Sequence, residues 1–304
     1  MDSTPDTRPG PRRVSGIRRA AVMNGITAGV IALAVVVFAL ALAGSLGSRA
    51  TLTNDAIGLV EIEGVIADSR DVNRQIRYLA ETEKLPVIVL RLNSPGGGVT
   101  ASEEIWREVK RIREEGVVVV SSMGTVAASG AYYIAAATDT IMANASSLTG
   151  SIGVIAEFTQ LDTLLAKIGM HITVIKTGKY KDTGSAFRPM REDEREYIQD
   201  LIGDSYDQFV RAVAEGRGLS EERVRELAEG KVYTGSIARE VGLVDTIGNF
   251  QDALDFAKEL AGYSHDADVL RAPQKDQTGI LGRLVERVGL AAEGPSMTLS
   301  YRMP

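Results

Sequence analysis

The sequence predicts an α/β fold built on a largely parallel sheet and preceded by one N-terminal transmembrane helix. Three observations carry that expectation. From Ala56 onward, short aliphatic runs alternate with amphipathic helical runs, the pattern of strand–helix–strand units. Residues 20–48 carry no charge, a stretch longer than the ~20 residues a helix needs to cross the hydrocarbon core, and Ala28 to Ala43 within it holds only apolar residues and glycine. Arg8, Arg12, Arg13, Arg18 and Arg19 precede that run, which by the positive-inside rule keeps the N-terminus in the cytoplasm and puts everything after Arg49 outside it.

Taken in order, residues 1–19 are rich in Pro, Arg, Ser and Thr and read as a disordered cytoplasmic tail. Residues 20–46 read as an anchor. A cleaved signal peptide is the rival, because Ala41-Leu42-Ala43 resembles a small-residue cleavage site, but the apolar stretch exceeds the ~7–15 residues of a signal core. Ile57 to Ile62 is strand-like and Asp71 to Leu79 helical. Val87 to Leu92 reads as a buried strand ending in the turn Asn93-Ser94-Pro95-Gly96-Gly97-Gly98. Thr100 to Arg113 reads as a helix with Ile105, Val109 and Ile112 on one face.

A strand from Val117 to Ser121 then leads to a turn at Ser129 and an Ala-rich helix, Ala131 to Ala137. Thr140 to Ala143, Ile152 to Phe158 and Ile172 to Ile175 read as strands, with a helix from Leu161 to Ile168 between the last two. A loop over 176–190 precedes a long charged helix starting near Glu192. Ser220-Glu221-Glu222 opens a further helix with a cap and first-turn acids. The folded body therefore spans 56–265, and 266–304, with its Gly and Pro breaks, reads as a peripheral or partly disordered tail.

Composition removes several functions. The 304-residue chain has a net charge of −6 with both signs spread along it, which argues against nucleic acid as a partner. It has no cysteine, so disulfides and thiolate metal sites are excluded. With only two histidines, the usual activators of a serine nucleophile are scarce.

The chemistry-bearing residues lie at strand ends. Consecutive glycines at 96–98, after a buried strand and before a helix, let the backbone approach a ligand with free N–H groups, which suits an oxyanion hole. A phosphate loop would need Gly-Lys-Ser/Thr at its end, and none follows. Ser129 sits at the end of the next strand, and in parallel sheets adjacent strand ends share one crevice. The Gly-x-Ser-x-Gly elbow pattern is not met, because Ala127 stands at the first glycine position. His171 and His265 lack acid partners in the sequence, so the base is sought among lysines. A lysine works as a base when burial lowers its pKa from about 10.4 to about 7–8. Lys176, Lys179 and Lys181 are all candidates, and residue chemistry leaves the choice open. Asp182 counts against Lys181 if its carboxylate nears the amine, although in an extended segment neighbours point oppositely.

Together, Asn93 to Gly98, Ala127-Ala128-Ser129-Gly130-Ala131-Tyr132-Tyr133, Leu148-Thr149-Gly150-Ser151-Ile152-Gly153-Val154 and Lys176-Thr177-Gly178-x-x-Lys181-Asp182 resemble the signal peptide peptidase A family. These are membrane-anchored bacterial serine proteases with a Ser–Lys dyad, and the similarity runs from about Ala56 to Leu260. The resemblance implies that Ser129 is the nucleophile, Lys181 the general base and Ser151 the residue orienting the lysine amine. It implies that Gly97 and Gly130 supply the oxyanion-hole N–H groups. It also implies a Clp protease/crotonase-like superhelix of ββα units, a protease domain over 56–265 and no metal, nucleotide or other cofactor. The substrates would be remnant signal peptides and similar hydrophobic peptides at the bacterial membrane. The short family form implies a homo-oligomer, an octamer, in which neighbouring chains complete each site. Rival readings are a related protease with a dedicated membrane-protein substrate, a crotonase-type acyl-CoA enzyme and an inactive membrane scaffold.

Overall fold

The computed structural model describes residues 55–273 and the backbone of 300–302. The tail at 1–19, the anchor expected at 20–46 and most of 266–304 lie outside these residues. Among the described residues no helix is long and apolar enough to cross a membrane.

The strands are β1 (Ala56–Glu63), β2 (Val87–Ser94), β3 (Gly96–Gly98), β4 (Val118–Ala128), β5 (Thr140–Ala143), β6 (Leu148–Gly150), β7 (Val232–Thr234), β8 (Thr246–Ile247), β9 (Asp268–Arg271) and β10 (Ser300–Arg302). The helices are α1 (Arg70–Arg77), α2 (Val99–Glu114), α3 (Gly130–Ala135), α4 (Asp162–Lys167), α5 (Glu192–Arg217), α6 (Glu221–Leu227), α7 (Gly235–Glu240) and α8 (Phe250–Leu260). The main sheet runs β7-β6-β4-β2-β1-β9, with β5 also on β4 and β8 on β5. Its pairings are parallel except for β6 with β7. Val60, Ile88, Val89, Leu90 and Val119 are completely buried, so both faces are covered, as a parallel sheet requires. The aliphatic runs of β1 and β2 are strands for this reason: every side chain in their centres meets a packed layer, whichever way it points.

Strand β4 is what positions the site. The sequence suggests a strand ending at Ser121, but β4 continues to Ala128 because it changes neighbours along its length. Val120 to Met123 pair with β5 and Val126 to Ala128 with β6. The register against β2 shifts between Leu92 and Ser94. At that irregularity the Asn93 side chain accepts hydrogen bonds from the Thr125 and Val126 N–H groups at 3.2 and 3.4 Å. Asn93 thus replaces the lost ladder bonds and steers the end of β4 toward α3.

Helix α2 buries Ile105, Val109 and Ile112, the face expected from their spacing. The Ser220 hydroxyl caps α6 by accepting from the Arg223 N–H at 3.1 Å. Two expectations need correction. Ile152 to Phe158 and Ile172 to Ile175 form no strands; residues 171–175 are irregular and exposed, Ile175 to 97%. Aliphatic residues form strands when another strand's edge receives them, and here the pairing goes no further than a single bridge at Ile155. Helix α4 between them buries no residue. The glycine turn at 96–98 is also a strand, β3, pairing antiparallel with β10. Past residue 265, β9 adds the outer strand beside β1.

Candidate active site

Ser129 occupies the corner where β4 ends and α3 begins. Its φ of 54° and ψ of −117° lie where a residue with a Cβ is strained, typically by about 1–3 kcal/mol. The corner holds because its surroundings over-determine it. The Ser129 N–H donates to the Gly150 carbonyl at 2.8 Å, and the Ser129 carbonyl accepts from the Tyr133 N–H at 2.8 Å. The Thr149 hydroxyl donates to the Ala127 carbonyl at 2.7 Å, tying β6 to the last turn of β4. The sharp serine corner therefore forms with Ala127 in place of the glycine that the elbow pattern would require.

Among the described residues, Ser129 Oγ is the one buried hydroxyl with no hydrogen-bond partner. An unsatisfied buried polar atom costs about 1–3 kcal/mol, so the site holds a poised, desolvated oxygen. Buried hydroxyls nearby are satisfied: Thr138 donates to the Ala135 carbonyl at 2.8 Å and Ser147 to the Gly124 carbonyl at 2.5 Å.

Three of the expected residues gather at this corner. The Ala128–Gly150 register sets Ser151 directly beside Ser129 at the ends of adjacent parallel strands. Ser151 also has a positive φ, 50°, fixed by its N–H donating to the Lys231 carbonyl at 2.7 Å. It opens onto a cavity of about 430 Å³ lined by Val154, Ile155, Ile202, Tyr206 and Gly230. Gly130 is the first residue of α3, so its N–H lacks an acceptor within the helix.

Gly97 lies in β3 against Ile66. The Gly98 N–H donates to the Ile66 carbonyl at 2.8 Å. Because successive N–H groups of a strand point to opposite sides, the Gly97 N–H faces away from Ile66, the side where β10 runs. A Cβ at position 97 would sit 2.1 Å from the Ile66 carbonyl oxygen, so only glycine permits this approach. Strand β10 crosses the same ground, with Tyr301 opposite Gly97.

Lys181 is not at the corner. It is exposed, within a run of turns over 177–184, so the extended geometry expected around Lys181 and Asp182 is absent. The same region does separate the three lysines. Lys176 pairs with Asp182 and Lys179 with Asp193 at 2.6 Å. Lys181 has neither a hydrogen bond nor an ion pair among the described residues. Hydrogen bonds from Arg188 and then Lys176 hold the Asp182 carboxyl far below the usual carboxylate range. Arg188 likewise pulls fully buried Glu194 down to about 2.

Tyr132 and Tyr133 serve the scaffold. Buried Tyr132 donates to the Leu243 carbonyl at 2.9 Å, and Tyr133 packs edge-on against Phe209 with centroids 4.9 Å apart. Sequence reasoning singled out the turn at Asn93 but not the role of its side chain, and it missed Arg188 and Glu194. Only Glu194 left a signal, an acid at the third position of its helix, where it accepts from the Arg191 N–H at 3.0 Å.

The peptidase family S49 model matches residues 111–264, and the Clp protease model matches 60–151. The chain is 43% identical over 217 residues to a protein of Synechocystis named as a protease, covering 71% of this chain and 78% of that one. It is 35% identical over 266 residues to an Enterococcus faecium protein named as a signal peptide peptidase SppA, covering 82% and 77%. To Protease 4 of Haemophilus influenzae it is 36% identical over 222 residues, covering 70% of this chain and 36% of the longer relative.

Proposed function

The chain belongs to peptidase family S49 and is a serine protease, and from that premise we propose that it hydrolyses remnant signal peptides and similar hydrophobic peptides through Ser129 and Lys181. The observation that carries this reading is the Ser129 hydroxyl, buried without a hydrogen-bond partner among the described residues at a strained strand–helix corner. The Lys181 amine takes the Ser129 proton as Oγ attacks the scissile carbonyl carbon. The Gly97 and Gly130 N–H groups receive the developing oxyanion, and Ser151 orients the amine. The lysine ammonium then protonates the leaving amine, which leaves an acyl-enzyme. Water, deprotonated by the same amine, releases the acid and regenerates Ser129.

Lys181 reaches a Ser129 corner from a second copy of the chain. A buried nucleophile and an exposed, unpaired lysine within one protomer support a shared site. So does the apolar surface at Leu164, Ile168, Met170, Ile172, Val174 and Ile175, all exposed, since a patch of this kind marks an interaction face. The assembly is a homo-oligomer, an octamer by family resemblance, of protomers with a ββα superhelix. Residues 20–46 anchor it in the bacterial cell membrane, with the catalytic body outside the cytoplasm. Substrates add as an extended strand along β3, the mode that β10 exemplifies.

Ser129→Ala and Lys181→Ala abolish hydrolysis of a signal-peptide mixture at pH 7–9, whereas Lys176→Ala and Lys179→Ala remain active. Fluorophosphonate labelling of wild-type protein, lost in Ser129→Ala, separates a serine protease from an acyl-CoA enzyme of related fold. Full peptide hydrolysis by Ser129→Ala overturns the reading.

A further inference from the structure

The charges around Lys181 are arranged with a clear division of labour. Asp182, the next residue, is an anion that chain connectivity keeps close to the lysine, and a free carboxylate there would favour the ammonium form over the amine. It is not free. Lys176 Nζ donates to Asp182 Oδ1, and Arg188 Nε donates to Asp182 Oδ2 at 2.9 Å. Arg188 Nη2 also donates to the Asp182 main-chain carbonyl at 3.1 Å, which fixes the backbone that displays Lys181.

The other side of the same guanidinium grips helix α5. Nη1 and Nη2 donate to the two carboxylate oxygens of Glu194 at 2.7 and 2.5 Å, and the Glu194 side chain is fully buried. Thr183 donates to Glu194 at 3.3 Å, and Arg191 pairs with it at 2.8 Å. The remaining charges of the loop and the first turn of α5 are also engaged: Lys179 with Asp193, and the Arg191 guanidinium with the Lys179 carbonyl at 3.0 Å. The Tyr180 ring meets Tyr197 of α5 at 5.2 Å between centroids. In a stretch where every other lysine and arginine is committed, Lys181 is left over.

We propose that Arg188 is the positioning residue of the catalytic base: its fork ties Asp182 to Glu194, holding the turn that presents Lys181 and occupying the carboxylate that would otherwise capture the lysine amine. Neither effect touches substrate. The first needs the planar, doubly bidentate geometry of arginine, which a lysine ammonium lacks; the second needs only a positive charge beside the carboxylate. The proposal rests on the reading of Lys181 as base.

The test is the pH dependence of kcat for peptide hydrolysis by the full-length oligomer, with assembly followed by sedimentation velocity. Arg188→Gln leaves the Asp182 carboxylate held by Lys176 alone and moves the rising limb of the profile up by about one pH unit. Adding Asp182→Asn to that variant returns the limb to its wild-type position. Arg188→Lys keeps the charge and loses the fork, so kcat falls about tenfold with the limb unmoved and KM unchanged. If Arg188→Gln lowers kcat without moving the limb, or if Asp182→Asn does not restore it, the proposal is overturned. Should Arg188→Gln fail to assemble, Arg188→Lys decides, since a drop in kcat without change in KM is expected and wild-type kinetics overturn the proposal. Lys181→Ala measured alongside separates the two failures. An inactive Lys181→Ala with an unmoved Arg188→Gln limb overturns the positioning role alone, whereas an active Lys181→Ala overturns the dyad with it.

Discussion

The Ser129 corner and the Lys181 loop are built by opposite means. Around Ser129 the chain is closed in on every side. Tyr132, Ala131 and Ile134 are completely buried, adjacent strand ends are locked in register, and the strained backbone is held by hydrogen bonds on both flanks. Around Lys181 there is almost no apolar burial, and shape comes from a lattice of charges, Asp182 and Glu194 with Lys176, Arg188 and Arg191. On the proposed reading, the nucleophile is held immobile and dry. The proposed base is carried outward, and an ion-paired loop can keep its form without a core beneath it. The difference teaches that the two regions have different dependencies: one on packing, the other on ion pairs and so on protonation.

The largest break expected is on the packing side. Phe209→Ala removes the ring that buttresses Tyr133 behind the nucleophile helix and costs about 3–5 kcal/mol, read as a lowered denaturation midpoint with activity lost only as the protein unfolds. On the charge side the lever is acid. Because Arg188 holds the Glu194 carboxyl down to about 2 from an ordinary value of 4.5, its contribution is present above about 4.5 and lost as pH falls through about 2. Acid titration followed by tyrosine fluorescence shows Glu194→Gln to be less stable than wild type at pH 6, and the gap closes at pH 2.

Ile175→Asp sharpens the same contrast. The side chain is exposed, so protomer stability stays within about 0.5 kcal/mol, while self-association measured by sedimentation weakens at least tenfold. An unchanged association constant sinks the assignment of that apolar face to a second copy. The smallest effect separates strain from chemistry. Ser129→Gly relieves the positive φ and is more stable than Ser129→Ala by about 1 kcal/mol, although both are inactive.

The legibility of the sequence follows the same division. The sheet centre was readable because β1 and β2 are buried on both faces and their aliphatic runs say so directly. The corner was half readable: Ser129 stood at a strand–helix junction, yet the elbow pattern missed because Asn93 and the β6 hydrogen bonds supply what a glycine at 127 would have supplied. The excursion at 152–175 was misread, since the same aliphatic residues signal a strand or an uncovered face and only a partner decides which. The choice among Lys176, Lys179 and Lys181 was beyond the residues alone, because pairings such as Lys179 with Asp193 depend on turns that carry no periodic signal. The sequence resemblance named Lys181; in the fold the other two amines are occupied by ion pairs with Asp182 and Asp193.

Ser300 to Arg302 already fill the antiparallel place along Gly96 to Gly98, and so short an edge holds one strand at a time. Because that occupant is tethered, it competes at an effective concentration on the order of millimolar, whatever the dilution of the protein. If substrates add along β3 as proposed, an added peptide is measured against an incumbent, its apparent KM is an exchange constant, and comparing peptides ranks them by how well each displaces Ser300 to Arg302.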